Sequence, residues 1–183
     1  LPAGVYRLEA RLTDMNAGKI SLITGQVSVP SFPKELSISE PQVAINIQAN
    51  AAGSAFKKGN TAIIPNPSRR YRYHNAMLYL YYELYNLEPS GADSAAPLSV
   101  IYSITDQAGD TLMLMPPQKI DRGGRTSARV AGLDVRGLEG GAHTITVAVF
   151  DSLTGRSIVS AKRFWIHQPA PTVQLLPMSP EDI

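Results

Sequence analysis

Residues 1–29 and 138–166 carry one pattern twice. LPAGVYRLEARLTDMNAGK lies over LEGGAHTITVAVFDSLTGR at a constant offset. Leu1 falls on Leu138, Gly4 on Gly141, Tyr6 on His143, Leu8 on Ile145, Leu12 on Val149, Asp14 on Asp151 and Gly18 on Gly155. A second run follows each block, SLITGQVSV in one copy and IVSAKRFWI in the other. Alternating apolar residues, an Asp- and Gly-bearing turn and a second strand-like run spell strand–turn–strand. Each copy predicts a β-hairpin of the kind that closes a β-sandwich. The second copy has a domain's worth of chain ahead of it and the first has none. The expectation is one complete sandwich preceded by the closing hairpin of a similar domain.

The remaining chain reads as short strands punctuated by Gly and Pro. Residues 1–32 are assigned to the first hairpin, 33–60 to a linker, 61–168 to the complete sandwich and 169–183 to a Pro-rich extended tail. One strand is expected inside the linker at Val43–Ile47, and Asn50 to Asn60 reads as a flexible loop. Pro65-Asn66-Pro67-Ser68 predicts a rigid turn, because each proline fixes φ and restricts its predecessor. In MLYLYYELYNL (77–87) a period of two puts Leu78, Leu80, Tyr82 and Leu84 on one face, which is the core candidate. LSVIYSIT (98–105) points Leu98, Val100, Tyr102 and Ile104 inward in the same way. Residues 88–97 and 116–125 read as loops, with further strands at 111–115 and from Ala128 to Val135. About seven strands with turns every 8–12 residues, and no helical period, predict an all-β chain with an immunoglobulin-like or fibronectin-III-like sandwich.

Leu-x-x-Gly, an aromatic ring and an alternating run open both repeat copies. This spelling matches the tyrosine corner of Greek-key sandwiches, where a Tyr hydroxyl bonds nearby backbone. Tyr6 fits, and His143 stands where the second Tyr would be.

The order of several stretches resembles bacterial proteins named for a GWxTD domain, in the β-sandwich region upstream of that domain. The stretches are LPAGVYRLEARLTD, VSVPSFPKELSISE, IIPNPSRRYRY, LYLYYELYNL, YSITDQAGD and LEGGAHTITVAVFDSLTG, which touch most of residues 1–168. The Gly-Trp-x-Thr-Asp motif itself is absent, and the one Trp is Trp165. The resemblance implies an extracytoplasmic bacterial protein, in the periplasm or at the cell surface. It brings no catalytic residues.

The chain has no Cys, which excludes disulfides, thiolate metal sites and a Cys nucleophile. Its net charge of +2 is too small to point to nucleic acid. No run approaches the roughly 18 apolar residues of a membrane span. His74, His143 and His167 lie in separate segments without metal-ligand spacing. No Gly-x-Ser-x-Gly elbow is present. Asp106–Asp110 and Asp151–Gly155 hold calcium-friendly residues but follow no EF-hand pattern, so both read as tight turns. No cofactor, metal site or catalytic residue is expected.

Two surfaces remain. Arg69, Arg70 and Arg72, interleaved with Tyr71 and Tyr73, form the basic cluster, read either as an anionic-partner site or as the solvated charges of an edge strand. Tyr79, Tyr81 and Tyr85 around Glu83 share the face of their strand opposite the leucines. Outward rings in a row suggest a protein interface or a sugar-stacking platform, and the competing reading is cross-strand packing on a covered face. The expected function is a non-catalytic structural or protein-interaction module, an accessory subunit of an envelope complex with protein partners. A fibre or homo-oligomer completed by strand donation, and a glycan-binding module, stay open as alternatives.

Overall fold

The computed structural model describes residues 1–31, 33–49, 56–72, 77–88 and 97–167. His74, Tyr73 and the 169–183 tail lie outside them, as do most of the Asn50–Asn60 and 88–97 loops. The described residues form fourteen strands, with no helix among them, and the chain divides into two compact units, Leu1–Lys34 and Glu35–Ile183.

The first unit is a hairpin of β1 (Gly4–Thr13) and β2 (Ile20–Val29), paired from Gly4↔Val29 to Thr13↔Ile20. The second unit begins at Glu35 rather than near residue 61. The stretch read as a linker supplies β3 (Ser37–Ile38), β4 (Gln42–Ala49) and β5 (Lys57–Lys58). Its prolines punctuate these strands: Pro41 falls between β3 and β4, which pair successively along the same neighbour. After them come β6 (Thr61–Pro65), β7 (Arg70–Arg72), β8 (Met77–Tyr85), β9 (Leu98–Thr105) and β10 (Thr111–Leu114). The last four are β11 (Gln118–Ile120), β12 (Thr126–Asp134), β13 (Gly141–Asp151) and β14 (Arg156–His167).

Two sheets result. One runs β12-β8-β4-β6-β5, with β3 also on β8, and the other runs β10-β9-β13-β14-β7, with β11 also on β9. Every contact is antiparallel except β7 on β14, which is parallel. The alternation of the sequence decides what lies between the sheets. Leu78, Leu80, Tyr82 and Leu84 from one sheet, and Leu98, Val100, Tyr102 and Ile104 from the other, are all buried in one core, as expected. Each aliphatic side chain so buried contributes about 1.5–3 kcal/mol. The two core tyrosines bond each other, hydroxyl to hydroxyl, at 2.8 Å, so neither polar tip is stranded. Asn66 shapes the turn after β6. Its side-chain amide donates to the Arg70 carbonyl at 3.0 Å, and the Ser68 hydroxyl donates to its Oδ1 at 2.8 Å.

The internal repeat is structural as well as sequential. Gly141↔Ile166 pairs in β13–β14 where Gly4↔Val29 pairs in β1–β2, so the two hairpins share one register. Their turns match bond for bond. The Asp14 carboxylate accepts from the amides of Asn16 and Ala17, and the Asp151 carboxylate from those of Leu153 and Thr154. Gly18 and Gly155 close the turns with φ of 65° and 68°, a left-handed backbone that a side chain would strain. The corners match too. The Tyr6 hydroxyl donates to the Pro2 carbonyl at 2.7 Å, and His143 Nε2 donates to the Glu139 carbonyl at 2.9 Å.

Candidate interaction surface

The tyrosine strand β8 sits between β12 and β4, and its second face looks away from the main core. That face carries its own small cluster. Tyr81 packs with Ala44 of β4 and Ile63 of β6, flanked by Ile47 and Tyr79. Tyr81 is only 5% exposed. The expectation of three outward rings is therefore corrected at Tyr81, because the β5–β6 hairpin covers it. The Lys58 ammonium stands 4.4 Å from the centre of its ring. Tyr79 is half-buried opposite Gly132, where the missing side chain leaves room for the ring. Tyr85, at the end of the strand, is half-buried as well.

Glu83 ties these groups together. Its carboxylate accepts hydrogen bonds from the hydroxyls of Tyr81 and Tyr85, the latter at 2.6 Å, and lies 3.6 Å from Lys58 Nζ. Its backbone is fixed as well: the Glu83 amide donates to Ser39 Oγ, and the Ser39 amide donates to the Glu83 carbonyl. Burial opposes the charge on Glu83, but the two phenols and Lys58 outweigh it and hold the carboxyl below its usual range. The tyrosines shift the other way. Burial first, then the bond to Glu83 and its charge, push Tyr85 up to about 12 and raise Tyr81 as well. Such a carboxylate is an organiser of side chains: its charge is already satisfied by two donors and a cation.

The basic cluster divides. Tyr71 points into the core, with its hydroxyl 3.0 Å from the Ala44 carbonyl and its ring edge-on to Phe164. Arg69, at φ 55°, places its guanidinium over the Trp165 ring at 5.1 Å. Arg70 and Arg72 are exposed on β7, a three-residue edge strand. Charged side chains on a short edge are a common guard against edge-to-edge pairing. The structure thus brings Tyr79, Tyr81, Glu83 and Tyr85 together on one sheet and places Arg69, Arg70 and Arg72 at an edge of the other.

Two ionic contacts escaped the sequence reading. Lys58 is one; a Lys-Lys-Gly-Asn turn ahead of the Thr61–Ile64 run was the signal for it. The other is an ion pair between Arg122 and Asp151, both buried, with Arg122 Nη1 3.1 Å from Asp151 Oδ2. Arg122 also reaches the Glu88 carbonyl at 3.4 Å.

The hairpin β1–β2 offers a different surface. Tyr6, Leu8, Ala10 and Leu12 share a face with Ile23, Val27 and Val29. Leu8 is 54% exposed, Leu12 73%, Ile23 69% and Val27 43%. The counterparts of Leu8, Leu12 and Val27, which are Ile145, Val149 and Phe164, are core residues of the second unit, whereas Ile23 corresponds to the half-buried Ser160. The opposite face of the same hairpin is mixed: it carries Arg7, Glu9 and Arg11 together with Val5, Ile20 and Leu22.

Among the described residues no group of three or more His, Asp or Glu gathers as a metal site, and no helix is long and apolar enough to cross a membrane. The Asp106 carboxylate accepts the Asp110 amide of its own turn at 2.9 Å. No protein-family model matches the chain, and no curated protein matches it.

Proposed function

We propose that this chain is a structural and protein-interaction module of a bacterial extracytoplasmic assembly, working without catalysis. One observation carries the reading: the face of Leu8, Leu12, Ile23 and Val27 is apolar and uncovered, yet it is patterned like a face that is core elsewhere in the same chain. A two-stranded hairpin by itself is marginally stable at best in water, so such a face favours a covering partner. The extracytoplasmic placement rests on the resemblance to GWxTD-domain proteins.

The second unit is the scaffold, and its strand order supports an immunoglobulin-like reading. Reading β4, β8 and β12 as strands A, B and E of the four-stranded A-B-E-D sheet, and β9, β13 and β14 as C, F and G, is consistent with the observed order and supports that reading. The β5–β6 hairpin and the parallel β7 are additions at the edges. A protein partner is favoured over a glycan because Tyr81 lies beneath Lys58, leaving no continuous platform of three rings on which a sugar could stack.

Chemical cross-linking in cells that make the intact protein tests the reading. Reproducible links from residues 1–29 or 69–85 to other proteins of the envelope are expected. A chain that links to nothing in its native compartment is not an interaction module.

A further inference from the structure

The second unit contains a worked answer to the question of what the first hairpin lacks. There, β13–β14 is covered on its apolar face by the sheet that holds β8 and β12, through residues such as Leu80, Tyr82 and Leu133. The free edge of β13 pairs with β9, and the end of β14 takes the short parallel strand β7. The turn carboxylate Asp151 is met by Arg122, which comes from the loop between β11 and β12. In the first unit Asp14 holds the same turn by the same backbone bonds. Its carboxylate lies in the exposed turn, and every apolar counterpart from Leu8 to Val27 is open.

We propose that β1–β2 is the closing hairpin of a second β-sandwich, and that its apolar face is covered by a partner domain that lacks a closing hairpin of its own and presents an arginine to Asp14. The partner's chemistry follows from the template. It carries a sheet whose inner face is rich in Leu, Val and Tyr, an antiparallel strand for the free edge of β1, and a cation at the turn end. Charge complementarity singles out that end: Asp14 is exposed in the hairpin alone, a covering domain would bury its carboxylate, and a carboxylate so buried needs a paired cation, as Asp151 has in Arg122. A second copy of the hairpin does not meet these needs. A second hairpin offers two strands, not the sheet that covers β13–β14 in the second unit. A second hairpin also brings Asp14 rather than an arginine.

This rests on the interaction-module reading, and the two can fail separately. The test places a photo-cross-linking benzoylphenylalanine at Leu8, Leu12 or Ile23, and as controls at Glu9, Arg11 or Thr24, in cells making the intact protein. At least five-fold more product is expected from the first set. Its acceptors should be alternate residues on the strands of a β-sandwich outside residues 1–183. Equal yields from both faces, acceptors in helices or lipid, or acceptors in the hairpin of a second copy would each overturn the proposal. Links to a protein of another fold would do so while leaving the interaction-module reading intact. Asp14→Lys should cut the yield from position 12 at least three-fold, and an unchanged yield removes the arginine.

Hydrogen exchange on the unmodified chain is the independent check. In purified residues 1–183 the amides of β1–β2 should exchange at least a hundred-fold faster than their counterparts in β13–β14. Equal protection would show that the chain already covers the face by itself, and the proposal would fall.

Discussion

Tyr6 and His143 make the same bond with different chemistry. Each reaches back four residues to a backbone carbonyl, Tyr6 to Pro2 at 2.7 Å and His143 to Glu139 at 2.9 Å. Because a carbonyl only accepts, His143 carries its proton on Nε2. Its Nδ1 is left buried without a partner, and the ring lies 5.5 Å from Phe164. The corner tolerates the exchange because what it requires is a flat ring with a donor at the far end.

His143→Ala removes both ring and donor from a site that is 4% exposed. A loss of about 2–4 kcal/mol is expected, the sum of a cavity and an unmade hydrogen bond. His143→Tyr restores the residue of the other copy and removes the orphaned nitrogen. It should cost less than half as much, read by urea denaturation of the two variants side by side.

Glu83 makes a prediction at alkaline pH. Tyr85 ionises at about 12 because burial, the bond to Glu83 and its negative charge all favour the neutral phenol. A folded pKa above the unfolded value of about 10 means that this stabilisation is complete below pH 10 and is lost as pH rises through 12. Glu83→Gln removes the charge, so Tyr85 should titrate earlier, seen as tyrosinate absorbance appearing at lower pH while the fold persists. An unchanged titration would mean that burial alone sets the shift.

Gly132 sets the position of Tyr79. A Cβ built there would stand 2.9 Å from Met77 Cε and 3.5 Å from the Tyr79 ring. The methionine tip can swing aside, so Gly132→Ala should be close to neutral. Gly132→Val reaches the ring and should cost about 1–3 kcal/mol as an overpacked contact. The expected signature is a Tyr79 ring more open to N-acetylimidazole in Gly132→Val than in the parent.

Period-two patterning made the sandwich core legible. Leu78 to Leu84 and Leu98 to Ile104 alternate cleanly because one side of each strand is core and the other is not. The repeat gave the hairpin register, since both copies keep Asp and Gly at the turn. What stayed hidden depends on contacts distant in sequence. The Lys-Lys-Gly-Asn turn marks a hairpin at Lys58, but its reach to Glu83 spans 25 positions and no local pattern encodes that contact. Arg122 lies in a Gly-rich loop that reads as solvent, and only the fold sets it against Asp151. The strand β4 was legible at Val43–Ile47, but its place in the sandwich, and the two-residue strand β3 before it, were hidden by prolines that sit between elements rather than inside them. Tyr81 looked exposed because alternation tells which face a ring is on, not whether another strand lies over that face.

Arg122 and Asp151 are both buried, and that makes their pairing sensitive to acid. Burial alone would raise the Asp151 pKa. The Arg122 guanidinium and the amide of Leu153 outweigh it, with the Thr154 side chain assisting, so the carboxyl lies below its usual value. A folded pKa below the unfolded value of about 3.9 contributes stability that is present above pH 4 and is lost as pH falls through the folded value. The parent should therefore lose stability steeply in that acid range, and Asp151→Asn should show a shallower fall there. At neutral pH Asp151→Asn and Arg122→Met should each cost about 3–5 kcal/mol, because either takes the counter-charge from a buried ion. The double variant should cost less than the sum, since it leaves no unpaired charge behind. Additive losses in a thermal-denaturation double-mutant cycle would show that the two groups stabilise the turn independently rather than as a pair.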